Sequence, residues 1–309
     1  MRLQVDAVAL RNANKEAIIA NTYPSPDDQT AVWNGAAGRA WAEMQELIDR
    51  VLKPFETLLV DAACSWPAGR ILDVGCGTGT TTLAIARQSG GKGRCVGVDI
   101  SEPMLALARE RAEREGASVT FIHADAQTYP FEPKSFDAIL SRFGVMFFND
   151  AERAFANLRH AAADDAELLF VAWRSAAENP FMTTAERAAA PLLPDLPPRE
   201  PDKPGQFSFA DQNRLHALLE KSGWSEIDIR PLDVECTLPE KDLVPYLTRL
   251  GPVGRMLEEM EEPARTRIVE TVRAAFERYV HGADVRFTAA CWMVRGRARP
   301  SLPSSDATS

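Results

Sequence analysis

The chain has 309 residues, 45% hydrophobic and 26% charged, an ordinary balance for a globular protein with a sizeable core. Its formal charge of −9 disfavours nucleic acid as the main partner, because phosphate binding needs a basic face. The five scattered cysteines (Cys64, Cys76, Cys95, Cys236, Cys291) offer no CxxC pair or metal-ligand spacing, and no run approaches the roughly 18 apolar residues of a membrane span.

Met1 to Ala20 carries interspersed Asp, Arg, Lys and Glu where a signal peptide would have an apolar core, so a cytoplasmic protein is expected. A Pro-rich break follows at Tyr23-Pro24-Ser25-Pro26. From Trp33, an amphipathic pattern runs through Trp41, Met44, Leu47, Ile48, Val51, Leu52 and Phe55, with a second short helix predicted over Phe55 to Cys64. Strand and helix signals then alternate. Strands are predicted at Arg70–Val74, Cys95–Asp99, Val119–Ala124, Phe136–Ser141 and Glu167–Trp173. Helices are predicted at Thr80–Ser89, Glu102–Glu115 and Ala151–Ala162. That rhythm implies a parallel sheet covered by helices on both faces.

After Trp173 the pattern changes. Ala190 to Gly205 holds six prolines and reads as an exposed loop. Ala210–Ser222 is helical, Ser225–Leu238 a long irregular strand, and Leu243–Tyr279 helical with breaks at Gly251-Pro252 and Pro263. Val285–Val294 is the last strand. The expected organisation is an N-terminal helical cap (1–65), an α/β core (66–240), a helical insertion serving as a lid (241–283), a last core strand (284–296) and a disordered tail (297–309).

The segment Ile71-Leu72-Asp73-Val74-Gly75-Cys76-Gly77-Thr78-Gly79-Thr80 carries the chemistry. A strand, a glycine turn and a helix N-terminus make a small-molecule cradle at the carboxyl edge of a parallel sheet. A dinucleotide fingerprint would need glycine at 75, 77 and 80, but position 80 is Thr and the third glycine is at 79. Asp73 is a poor neighbour for a pyrophosphate and suits a ligand with an ammonium to hold. The segment resembles the glycine-rich loop of the class I S-adenosylmethionine (SAM)-dependent methyltransferases, in which an acidic residue precedes alternating glycines. The resemblance implies a Rossmann-like, seven-stranded, mostly parallel sheet with an antiparallel last strand. It also implies SAM as cofactor, with Asp73, Gly75, Cys76, Gly77, Gly79 and Thr80 among the residues that bind it.

Further stations follow in order. Asp99, closing the second strand, is placed to accept from two ribose hydroxyls, with Ile100 beside it; an Asp here also commonly caps the next helix, a task Ser101, with Glu102 in the first turn, does equally well. Met104 is assigned to the adenine face by the resemblance, with plain core packing as the other reading. Asp125 is assigned to the adenine amino group and the Ala126 amide to the ring. His123 reads as a structural histidine. Ser141 and Arg142, ending the fourth strand, lie where the methionyl group and the acceptor would meet. Arg142 pairs with the methionyl carboxylate, contacts an acidic substrate or bridges to Asp150, the first being preferred. Candidate acceptor contacts are Trp33, Trp41, Phe143, Trp173 and Arg174, with core packing the alternative for the aromatics. The N-terminal helices from Trp33 to Trp41 resemble those closing the site in ubiquinone/menaquinone-biosynthesis methyltransferases.

The expected activity is methyl transfer to oxygen, nitrogen or carbon of a small, partly apolar metabolite. No Asn/Asp-Pro-Pro-Tyr sequence follows the fourth strand, which disfavours amino-methylation of adenine, cytosine or glutamine side chains. None of the histidines (His123, His160, His216, His281) falls in a motif, so no catalytic base is assigned. A SAM-binding protein with a pericyclase-like or sensing role shares these motifs, and an NAD-dependent oxidoreductase is disfavoured by the missing glycine at 80. A homodimer is left open.

Overall fold

Alternating short apolar strands and amphipathic helices fold here as a doubly covered sheet. The structure is a computed structural model that describes residues 28–66, 69–90, 93–200, 203–258 and 260–299. Residues 1–27, with the Pro-rich break, and the tail from 300 to 309 lie outside the described residues.

Four helices open the described chain: α1 (Gln29–Asn34), α2 (Ala36–Glu43), α3 (Gln45–Val51) and α4 (Lys53–Ser65). Asp28 caps α1 by accepting from the Ala31 amide at 3.0 Å, and Pro54 sits in the first turn of α4, where its missing N–H has no partner to lose. The sequence pattern read one helical stretch from Trp33 to Phe55. The chain breaks it into short helices at Gly35, Met44 and Leu52.

The core follows as β1 (Arg70–Val74), α5 (Thr80–Gln88), β2 (Arg94–Asp99), α6 (Glu102–Glu115), β3 (Val119–His123), β4 (Phe136–Arg142), α7 (Ala151–Ala161) and β5 (Ala162–Trp173). Beyond it come α8 (Pro180–Ala189), α9 (Gln212–Lys221), β6 (Ser225–Pro239), α10 (Leu243–Arg249), α11 (Gly251–Glu258), α12 (Ala264–Ala275), β7 (Val280–His281) and β8 (Asp284–Arg297). The sheet order is β3-β2-β1-β4-β5-β8-β6, with the two-residue β7 added on β8. Strands β1 to β5 pair in parallel, and β8 runs antiparallel between β5 and β6. The seven-stranded sheet with an antiparallel last strand is therefore as expected, and β7 is a small addition.

Leu72, Val98, Leu140, Leu169, Phe170 and Val171 are fully buried, as continuous apolar strands covered on both faces should be. β6 is an edge strand, as β3 is at the other side, which explains why it tolerates Pro231 and a bulge between Ser225 and Asp228. Helix α8 has no counterpart in the sequence reading. Asn179, just before it, is buried and pins its start to β8, donating to and accepting from the Ala290 backbone at 2.9 Å each. The last strand also outruns its predicted end: it continues to Arg297, and buried Ala298 bonds Asp165 and Ala166, so 297–299 are part of the fold. The strand order reverses between β1 and β4, the switch point at whose carboxyl ends open sheets bind ligands.

Candidate cofactor and acceptor site

The turn after β1 lies at that switch point. Gly75, Gly77 and Gly79 all take positive φ, +65°, +54° and +78°. At Gly75 the reason is a close backbone crossing: a Cβ there would stand 2.6 Å from Gly144 Cα in the loop after β4. A Cβ on Gly79 would strike Phe121 and Ala108. Gly77 differs, since a Cβ there meets only the Met104 sulfur at 3.6 Å. Gly75 and Gly79 thus shape the turn, and Gly77 faces the open side of the cradle beside buried Met104. Cys76 contributes only backbone there, because its sulfur packs against Gly97.

Asp99 joins the stations. Its Oδ2 accepts from the Gly77 amide at 2.7 Å and its Oδ1 from Ser101 N at 2.8 Å. Burial raises its pKa, opposed mainly by those backbone hydrogen bonds. The capping reading of Ser101 is corrected, because its hydroxyl donates to the Trp33 carbonyl at 2.6 Å. Asn34 satisfies the helix instead. Its Oδ1 accepts from Glu102 N at 2.9 Å and its Nδ2 donates to Ile100 O at 2.8 Å. His123 Nε2 lies 3.0 Å from the same Ile100 carbonyl and Nδ1 3.3 Å from Glu102, a structural position on the edge strand. Asp125 turns its own loop by accepting from Gln127 N at 2.9 Å, next to buried Ala126.

Under the turn, Asp73 accepts from Thr82 Oγ1 at 2.6 Å. Burial raises its pKa to about 6, against the pull of Thr82 and of the Arg142 guanidinium. Ser141 is buried beneath the loop: its one proton goes to the Val74 carbonyl at 2.7 Å, and it accepts from Gly144 N at 3.1 Å. It positions the turn and keeps no donor for a ligand. Arg142 does not reach Asp150, which caps α7 through Arg153 N at 3.0 Å. Arg142 instead lies 3.8 Å from Asp49 on α3, and its Nη1 is buried without a partner.

Asp49 and Arg111 were missed by the sequence reading. Asp49 accepts from Thr80 Oγ1 at 2.6 Å and from Arg111 Nη2 at 3.0 Å. Arg111, only 8% exposed, also donates to Thr78 O at 2.8 Å and Thr80 Oγ1 at 2.9 Å. It lies in the charged run Ala108-Arg109-Glu110-Arg111 of α6, whose pattern reads as a solvated face, so no local signal marked it.

The aromatic candidates divide into two groups. Trp33 packs edge-on to Trp41 (5.9 Å between centroids) and to Phe147 (5.0 Å), forming a half-buried cluster where the N-terminal helices meet the loop after β4. Phe143 and Trp173 stack on each other at 4.9 Å, with Phe55 against Phe143, and all three are buried. This pair is packed wall rather than an open stacking surface. Phe143 nonetheless has φ +65°, a strained conformation for a side chain of its size, where β4 ends beside the glycine turn. Arg174 is engaged by Glu178 and Asp233, each at 3.0 Å, so its charge is already met within the chain.

The residues fit a nucleoside carrying an amino-acid end: a glycine cradle whose Gly77 side is open, acids ending β1, β2 and β3, and a buried arginine donor with nothing to bond. Fold and site together define an α/β protein whose cradle, at the switch point of the sheet, suits a nucleoside. Residues 71–165 match the family described as methyltransferase domain (Methyltransf_25). A demethylmenaquinone methyltransferase of Thermus thermophilus is 39% identical over 110 residues, 36% of this chain and half the length of that protein. One from Renibacterium salmoninarum is 26% identical over 216 residues, covering 67% of this chain and 88% of that protein. The solved YcgJ protein of Bacillus subtilis shares the fold at TM-score 0.53 and 19% identity, over 80% of this chain and 98% of its own. Residues 71–165 thus carry a methyltransferase domain, and the relatives and the fold support a class I SAM-dependent methyltransferase.

Proposed function

We propose that this protein methylates a small, planar, partly apolar acceptor held between its N-terminal helices and the loop after β4. The observation that supports this reading is the half-buried Trp33–Trp41–Phe147 cluster, in which aromatic rings of the N-terminal helices meet the loop after β4. The relatives named for demethylmenaquinone, a quinone, support an acceptor of that shape.

SAM would be held by the Gly75–Gly79 turn with Asp99, Met104 and Asp125, and when bound it supplies an already activated methyl group for in-line displacement. The protein's part is alignment and exclusion of water, effects that contribute roughly 7–11 kcal/mol in well-oriented reactions. Ser141 and the Gly75–Gly144 crossing fix the two loops that face each other across the site. The N-terminal helices serve as a cap, tied to the core by Trp33, Asn34 and Asp49. The 241–283 insertion serves as its counterpart, with Arg249 paired to Glu43 at 2.5 Å and Asp242 to Arg50 at 3.5 Å. No histidine is assigned as base. His160 and His281 are exposed on α7 and the β7–β8 hairpin and His216 is half-buried on α9, and His281 precedes a strand whose Cys291, opposite Trp173, is about 24 Å further along from Asp284 at about 3.4 Å per residue. Acceptors that ionise readily, such as phenols and quinols, suit such a site.

Incubating the protein with SAM and a panel of quinols, phenols and amines, and following S-adenosylhomocysteine by mass spectrometry, tests the proposal. Turnover confined to planar apolar acceptors is the result expected. SAM binding without release of S-adenosylhomocysteine for any of them would favour a non-methylating role.

A further inference from the structure

The pair Asp49 and Arg142 is incompletely satisfied in a complementary way. An ionised carboxylate offers about four acceptor positions. In Asp49, Thr80 takes one at Oδ1, and Arg111 and Gln45 take two at Oδ2. Oδ1 also faces Arg142 Nη2, but at 3.8 Å, within ion-pair range and too long for a hydrogen bond. Arg142 in turn keeps Nη1 buried without any acceptor, on a side chain only 12% exposed. Leaving a buried charged donor unmet is unfavourable, and such an arrangement persists where a ligand completes it. Asp73, buried nearby and coupled electrostatically to Arg142, adds negative charge to the same corner.

We infer that Asp49 and Arg142 are a two-sided holder for the zwitterionic α-amino-acid end of the cofactor. Arg142 Nη1 donates to the α-carboxylate, and the unfilled position on Asp49 Oδ1 accepts from the α-ammonium. Because Asp49 lies on α3, before the first core strand β1 (Arg70–Val74), the amino-acid end also ties the N-terminal helices down over the site. The inference rests on the cofactor assignment of the proposed function and extends it to a residue outside the glycine turn.

The test compares two ligands that share the nucleoside and thioether, S-adenosylhomocysteine and 5′-methylthioadenosine, of which only the first has the amino-acid end. Affinities are measured by calorimetry for the wild type, Arg142→Met and Asp49→Asn. Each variant is expected to bind S-adenosylhomocysteine at least tenfold more weakly, while 5′-methylthioadenosine affinity stays within about twofold and so reports an intact cradle. An equal loss of both ligands makes the two residues merely structural and overturns the inference, as does unchanged affinity for both. Should S-adenosylhomocysteine bind the wild type no more tightly than 5′-methylthioadenosine, the holder is refuted while the nucleoside site stands. Failure of the wild type to bind either ligand refutes the cofactor assignment itself.

Discussion

Gly77 donates its backbone N–H to Asp99 Oδ2 at 2.7 Å, so the turn after β1 and the end of β2 form one hydrogen-bonded unit. The two were separate motifs in the sequence, 22 residues apart. Their junction means that the acid expected at the ribose also holds the glycine turn in shape, and substitutions at either position act on both.

The three glycines of the turn differ in what they tolerate. Gly75→Ala places a Cβ 2.6 Å from Gly144 Cα, a backbone atom that cannot move aside, and is expected to destabilise the fold by roughly 3 kcal/mol. Gly77→Ala meets only the end of Met104 at 3.6 Å, so its cost is the left-handed backbone, about 1–2 kcal/mol. Thermal melts with and without S-adenosylhomocysteine separate the cases. Gly75→Ala lowers the ligand-free Tm sharply; Gly77→Ala lowers it slightly but loses most of the ligand-induced rise. Equal behaviour of the two would contradict the division of roles.

Much of this was readable in advance because it is local. The alternation of β1 to β5 with their helices, the glycine turn and the acids at 73, 99 and 125 all follow from short-range patterns. What was not readable depends on chain segments far apart. Asn34 replaces the expected cap Ser101 on α6 from 68 residues away, and nothing near Asn34 announces it. Arg111 is buried because Thr78, Thr80 and Asp49 gather around it, although its own helix reads as solvated. Phe143 and Trp173 were offered as acceptor contacts, and whether an aromatic at a strand end faces a ligand or another ring is set by packing rather than periodicity.

Asn34→Ala removes both tertiary hydrogen bonds at the start of α6 and is expected to destabilise the protein by about 1–2 kcal/mol. Glu43→Ala, which breaks the ion pair to Arg249 between side chains more than half exposed, should change stability by less than about 1 kcal/mol. Urea melts of both variants check the contrast, and a Glu43 effect equal to that of Asn34 would show that the cap is held by its outer charges instead.

Asp73 gives a pH signature. Its pKa is raised from the ordinary 3.8 to about 6, so the folded state holds a proton that the unfolded state has released. The stabilisation is complete below about pH 4 and is lost as pH rises to about 6, amounting to about 3 kcal/mol as an upper figure. Asp73→Asn lacks this titration. The stability of the wild type minus that of Asp73→Asn, from denaturant melts, should therefore fall between pH 4 and pH 6.5 and level off above it. A difference that is flat or rises across this range would show that Asp73 is already ionised in the fold.

The cofactor assignment of the glycine turn and Asp99 is tested most directly by calorimetric titration of S-adenosylhomocysteine into the wild type and Asp99→Ala. One ligand per chain is expected for the wild type, with affinity at least tenfold weaker in the variant, a loss of about 1.4 kcal/mol or more. Unchanged affinity in Asp99→Ala, with NAD giving the stronger heat in the wild type, would contradict it.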